Sequence, residues 1–307
     1  MAYVRGVKWT DEKKIRIQEL LIRGLTRREA AQQLSKEFGE EITWAALSNA
    51  CDRYGFAKYL LPEDKTIEIY KELTLPYDDY MISCDHHAPY FSELWVNRKL
   101  VIADKFGIKK NIEVGDLFDF DFIKMHKPID GEKRLGLDGE VEHCNPLIKA
   151  LDYFDENNVL RGNHEWRASR YTDSKIQARH LFGIFGAEIW KKKFKYSVYD
   201  KMMIGKKWML VHPQSYSQIS GSTAVRLAEK FHRHVLNAHG HFIALRYDRS
   251  GKYMGIDLGG MFDKSKISYI NLQTTTHPIW NNGFGMIYDG HFYHFHEGTD
   301  WKYWLGK

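Results

Sequence analysis

Residues 10 to 55 carry apolar positions at helical spacing, divided into three intervals that each open on a threonine and close on a glycine. Thr10 opens a stretch that runs to Gly24, Thr26 one that runs to Gly39, and Thr43 one that ends near Gly55. A threonine hydroxyl in such a place can accept a backbone N–H of the first turn, which marks three helix starts. Ile15, Ile17, Leu20 and Leu21, then Ala30, Ala31 and Leu34, then Ala45, Leu47 and Ala50 give each helix an apolar stripe. The three helices are therefore expected to pack together as a small bundle within residues 1–60.

Residues 61–78 hold two prolines and mixed charge without a clean period, the texture of a linker or an edge element. From Tyr80 onward short β-prone runs alternate with helical stretches: YMISC, a helix over 92–106, NIEVG, a helix near 146–155, NVLRG, a helix near 173–184, KWMLVH, a helix near 223–232, and HVLNA. Later come KYMGIDLGG and then GFGMIY and HFYHFHE, the last two joined by Asp289-Gly290, a hairpin turn signal. The alternation predicts a layered α/β domain over residues 79–307, with added antiparallel strands near its end.

Composition narrows the class. The chain has 307 residues, 43% hydrophobic and 28% charged, which is ordinary globular usage and excludes collagen-like or disordered sequence. No apolar run reaches the roughly 18 residues of a membrane span, and residues 1–14 lack the apolar core of a signal peptide, so a cytoplasmic protein is expected. Cys51, Cys84 and Cys144 are odd in number and unpatterned, which suggests reduced thiols rather than a disulfide framework. The net charge of +5 is mild, but residues 1–60 hold eleven Lys and Arg against eight Asp and Glu, an excess of three positive charges.

The candidate chemistry lies where the strands end. Asp85 and His87 follow YMISC, Asp116 follows IEVG, Asn163 and His164 follow VLRG, His212 follows WMLV, and His239 and His241 follow VLNA. In a layered α/β sheet the C-terminal strand ends share a rim, so these side chains can converge from distant parts of the chain. Carboxylate, carboxamide and imidazole together suit first-row ions such as Mn, Fe, Zn, Co or Ni better than calcium. The ligand count fits two ions, and a carboxylate that bridges them would hold them about 3.5–4 Å apart.

Taken together, Asp85-x-His87, Gly115-Asp116-x-x-Asp119, Gly162-Asn163-His164-Glu165, the isolated His212 and His239-x-His241 resemble the calcineurin-like metallophosphoesterases, in the family's order, across residues 80–245. The resemblance implies a two-sheet sandwich flanked by helices. It also implies that Asp85, His87 and His241 hold one ion, that Asn163, His212 and His239 hold the other, and that Asp116 bridges them, with manganese the expected metal. By the same resemblance His164 contacts the phosphate and protonates the leaving group, and Asp119 orients His164. Two departures stand out: the glycine of the last histidine block is Gly240, between the histidines, and Phe120 occupies the place where the protein phosphatases have a phosphate-gripping arginine.

The stretch from Gly24 to Gly55 resembles helix-turn-helix domains of recombinases and phage regulators. That resemblance implies DNA as a partner, with Trp44, Ser48, Asn49 and Arg53 reading bases and Arg27 and Arg28 gripping phosphate. It also implies a phage or mobile-element origin and hence a host cytoplasm. Outside these blocks, His294 and His296 share one face of a strand with His291 on the other, and a solvated face is expected for the pair. Cys84 is expected to be a small buried hydrophobe, and Trp280, Trp301 and Trp304 to be packing residues. The reading that follows is a two-metal phosphodiesterase, in particular a DNA nuclease. Its rivals are a phosphomonoesterase or cyclic-nucleotide phosphodiesterase with an N-terminal interaction module, and a DNA-binding protein with an inert phosphoesterase domain.

Overall fold

The computed structural model describes residues 7–56, 72–124, 127–128, 130–173, 175–186, 194–272 and 279–306. The chain forms two compact units, residues 1–71 and 72–307. Positions 61–71 of the expected linker lie outside the described residues.

In the first unit, helices α1 (Asp11–Ile22), α2 (Arg27–Phe38) and α3 (Trp44–Arg53) start behind the three threonines. Thr10 accepts from the Lys13 N–H and Thr43 from the Ala46 N–H. Thr26 and Glu29 satisfy each other's backbone N–H in a capping box. Ile17, Leu20, Leu21, Ala30, Ala31, Leu34, Leu47 and Cys51 form the core with Ile42 and Phe56. Ala50 is buried as expected, but Ile15 and Ala45, expected in the stripes, are exposed. Each stands two residues before a core position, about 200° around the helix, so Ile17 and Leu47 face inward and their neighbours face out.

The second unit contains, in chain order, β1 (Leu73–Leu75), β2 (Tyr80–Ser83), α4 (Glu93–Phe106), β3 (Lys110–Val114), α5 (Leu137–Leu151), β4 (Glu156–Leu160), α6 (Asn163–Tyr171), α7 (Ala178–Ile184), β5 (Phe194–Ser197), β6 (Lys201–Ile204) and β7 (Trp208–Val211). There follow α8 (Ser222–Phe231), β8 (His234–Asn237), β9 (Ile243–Tyr247), β10 (Met254–Leu258), α9 (Ser268–Leu272), β11 (Gly283–Tyr288), β12 (His291–His296) and α10 (Trp301–Leu305). One six-stranded sheet has the order β1-β6-β7-β8-β10-β9 and the other β12-β11-β2-β3-β4-β5. β1, within the stretch read as linker or edge element, is an edge strand that pairs in parallel with β6.

Alternation along the strands builds the layers. Tyr80 and Ile82 of β2, Ile112 and Val114 of β3, and Leu160 of β4 meet Trp208 and Leu210 of β7, Leu236 of β8 and Ile256 of β10 between the two sheets. The intervening residues face outward: Met81 and Val159 join α4, α5 and α7, while Met209, Val211 and Val235 pack under α8. The unit is thus a two-sheet sandwich flanked by helices, as the layered α/β reading expects. Helix α5 begins nine residues before the expected start and carries Pro146 inside it. Its buried positions Glu140, Cys144, Leu147, Ile148 and Leu151 recur at helical spacing, so burial of that face outweighs the N–H that proline lacks. The expected single helix near 173–184 is instead α6, starting at Asn163, and the shorter α7.

Candidate metal centre

β2, β3, β4 and β5 run parallel in one sheet, and β7, β8 and β10 in the other, so their C-terminal ends can supply a common rim. The loops beyond β2 and β3 continue to pair: Asp85 N–H donates to Gly115 O (3.0 Å) and His87 N–H to Asp116 O (2.9 Å). That pairing fixes where Asp85, His87 and Asp116 project. All three residues have positive φ, as do His239 and His241, so five of the seven expected ligands sit in the left-handed region. Non-glycine residues adopt it rarely, and clustered strain of this kind marks functional sites.

Three groups of donors result: one joins His87 with Asp119 and His164, and the other two consist of expected ligands. Asp85, His87 and His241 bring their ligand atoms within 4.8 Å of one another, and Asp116, His212 and His239 do the same. In the first group His241 Nε2 lies 3.0 Å from Asp85 Oδ1 and 3.2 Å from His87 Nε2. In the second, His212 Nε2 is 3.0 Å from Asn163 Oδ1 and 3.3 Å from Asp116 Oδ2. Asp116 Oδ2 also lies 4.0 Å from His87 Nε2, so one oxygen borders both groups. It is buried without a hydrogen-bond partner, whereas Asp116 Oδ1 accepts the His164 backbone N–H at 2.8 Å. A buried carboxylate oxygen among imidazoles is costly unless a cation meets it, and the donor set here fits divalent first-row ions.

The outer bonds orient the imidazoles. His212 Nδ1 donates to Val114 O (2.8 Å), which turns its Nε2 toward Asn163 and Asp116. His87 Nδ1 lies 3.1 Å from Asp119 Oδ1 and its Nε2 faces the other donors. This is how metal-binding histidines are usually held. Burial opposes ionisation of Asp116, yet His164, His212 and His87 outweigh it and hold the carboxyl well below the usual range. His212 is pushed up to about 10 against its burial, chiefly by Asp116 and then Asp85. Burial, with the charge of His212, lowers His239 to about 4. A divalent cation competes with protons for these nitrogens, so binding weakens as pH falls.

Beside the two groups, His164 Nδ1 lies 2.9 Å from Asp119 Oδ1, and His164 Nε2 is 3.7 Å from Asp116 Oδ2. Asp119 thus orients His87 as well as His164. Phe120 is buried against Phe118, Phe182 and Phe185 and offers no charge to the site.

Sequence reasoning missed several supporting residues. Glu165 Oε2 accepts the N–H groups of Asp116 and Gly162, and its Oε1 accepts that of Leu117, each at 2.8 Å, so this carboxylate ties the loop after β3 to the start of α6. Glu113 is buried and accepts from Lys99 and Asn111, each at 2.8 Å, and from Ser83 at 2.7 Å, with His86 Nε2 at 3.0 Å. That network anchors His86 between Asp85 and His87. Lys124 Nζ lies 2.7 Å from Asp119 Oδ2. Arg167, one turn beyond His164 on α6, places Nη2 2.9 Å from His164 Nε2 and donates from Nη1 to Asp119 O at 2.6 Å. The i, i+3 spacing from His164 was a legible signal for it.

Other expected residues are placed differently. His294 is half-buried, with Nε2 3.3 Å from Leu258 O, and burial lowers it to about 4, so the solvated face expected for His294 and His296 is corrected. The reason is that β12 closes against the end of β10 instead of facing water. Cys84 is buried between the sheets with Sγ 3.1 Å from Gly259 O. Trp301 and Trp304 pack on Phe295, and Trp280 packs edge-on to His241 at 4.4 Å. In the first unit Arg27 Nη1 donates to Ser48 Oγ (2.5 Å), so those two are turned to each other, while Arg28, Trp44, Asn49 and Arg53 are exposed.

No family model and no curated protein matches the chain. Among solved structures it is similar to that of Yfce, a phosphoesterase from E. coli, at 14% identity and a TM-score of 0.31, over 69% of this chain and 89% of that one. Among the described residues no helix is long and apolar enough to cross a membrane.

Proposed function

We propose that this chain is a two-metal phosphodiesterase that hydrolyses DNA. The observation that carries the proposal is the buried Asp116 Oδ2, 3.3 Å from His212 Nε2 and 4.0 Å from His87 Nε2, between the Asp85, His87, His241 group and the Asn163, His212, His239 group. Two divalent ions, with manganese the first choice, would draw charge from the phosphoryl oxygens and make a water acidic near neutral pH.

The chain's own residues supply the rest. Asp119 holds His164 by Nδ1, leaving Nε2 beside Asp116 to protonate the leaving oxygen. Glu165 keeps Asp116 and Asn163 in register by bonding both the loop after β3 and the turn that enters α6. In the first unit, the exposed Arg28, Trp44, Asn49 and Arg53 would meet DNA, with Arg27 holding Ser48 in place beside them.

The test is a panel of labelled single-stranded DNA, duplex DNA, RNA and small phosphodiesters incubated with Mn(II)-loaded protein. Cleavage of DNA above RNA supports the nuclease reading. Hydrolysis of small esters with DNA left intact would favour the reading in which the first unit binds protein, which the engagement of Arg27 with Ser48 and Asp52 also suits.

A further inference from the structure

We infer that Arg167 is the phosphoryl-binding residue of this site, a guanidinium that rests on His164 and transfers to an oxyanion of the substrate. The inference rests on the phosphoesterase reading above and adds to it the residue that recognises the ligand.

A guanidinium carries only donors, so the 2.9 Å approach of Arg167 Nη2 makes His164 Nε2 an acceptor. The ring proton then sits on Nδ1, which bonds Asp119 O at 3.1 Å and has Asp119 Oδ1 2.9 Å away. In this arrangement Nε2 has no proton to give. For His164 to serve a leaving oxygen, Arg167 must let go of Nε2 and Nε2 must take up a proton from water.

Its surroundings say where it goes. Nη1 stays tied to Asp119 O at 2.6 Å, so the group pivots without leaving the site. The nearest carboxylate oxygen, Asp119 Oδ2, is 3.9 Å away and is already held by Lys124 at 2.7 Å. The Arg167 charge therefore keeps no short ion pair among the described residues, and its side chain is only 17% exposed. With Nη1 on Asp119 O, the Nη2 N–H groups beside His164 Nε2, itself 3.7 Å from Asp116 Oδ2, can donate to the oxygens of a phosphate mono- or diester. With Phe120 buried and uncharged, Arg167 is the cation placed to grip them.

The test uses full-length protein loaded with Zn(II), which is diamagnetic. Binding of inorganic phosphate is measured by calorimetry in wild type, Arg167→Met and Arg167→Lys, beside metal content and thermal melting. The expected result is that Arg167→Met keeps the metals and the melt but binds phosphate about 10- to 100-fold more weakly, with Arg167→Lys in between. In hydrolysis of bis(p-nitrophenyl) phosphate, KM should rise more than kcat falls. Nitrogen NMR of the phosphate-free proteins should show His164 protonated at Nδ1 in wild type, and addition of phosphate should release Nε2 from its bond. Phosphate affinity unchanged in Arg167→Met with metals intact overturns the inference alone. A wild type that takes up neither metal nor phosphate overturns the phosphoesterase reading with it.

Discussion

Gly162 lies so close to Asp116 that a methyl group added at Gly162 would overlap both Asp116 Oδ1 and the Asp116 backbone nitrogen. The same added atom would come within 2.8 Å of Glu165 Oε2. Gly115 is confined in a similar way, by the His212 ring and the Gly162 backbone, and it has a φ of 79°. The two glycines are needed because the loops after β3 and β4 touch exactly where the carboxylate must stand between two groups of histidines. Gly162→Ala should displace Asp116, destabilise the unit by about 1–3 kcal/mol through overpacking, and lower metal uptake. Thermal melting with elemental analysis checks this; an Ala variant with wild-type melt and metal content contradicts it.

His164→Ala should retain the metals, because the seven expected ligands all remain, and should lose about 10²- to 10⁴-fold in hydrolysis of esters with poor leaving groups. The loss should shrink for a nitrophenolate leaving group, which needs no proton. Equal losses on both kinds of substrate would refute the proton-donor role.

Glu140 predicts a pH dependence of stability. Burial, and after it the charge of Asp119, push its carboxyl up to about 8 from an ordinary 4.5. The folded chain therefore holds a proton that the unfolded chain gives up. The contribution is complete below pH 4.5 and is lost as pH rises through 8. Glu140→Gln keeps the shape and an acceptor for the Phe122 N–H, which lies 3.3 Å from Oε2. The variant should match wild type near pH 5 and be more stable by about 1–3 kcal/mol at pH 9. Melts at the two pH values that differ from wild type by the same amount would count against it.

For the first unit, Arg28→Glu combined with Arg53→Glu leaves the buried core untouched, since both side chains are exposed. If the unit binds DNA, affinity should fall and the slope of log K against log salt should become shallower by about 1–2. An unchanged slope with unchanged affinity would move the DNA contact elsewhere.

The sequence was most informative where local chemistry decides the outcome. Thr10, Thr26 and Thr43 cap helices because a hydroxyl beside the orphan N–H groups of a first turn has a nearby partner. The hairpin at Asp289-Gly290 forms because both residues take positive φ, at 46° and 77°. The candidate ligands were legible because each follows a strand, and parallel strands end together. What stayed hidden depends on contacts distant in the chain. β1 and β6 are short strands defined mainly by pairing with each other and with β7. The Glu113, Lys99 and His86 network lies under the loop after β2 and has no local motif. His294 looked solvated because its strand alternates, whereas β10 covers that face.

Elemental analysis of the Mn(II)-loaded protein tests the proposed centre for two metal ions shared through Asp116. Wild type should hold close to two ions per chain and Asp116→Asn clearly fewer, with the melt in metal-free buffer little changed. Wild-type protein that takes up no metal after loading, or Asp116→Asn protein that holds two ions as tightly as wild type, would contradict it.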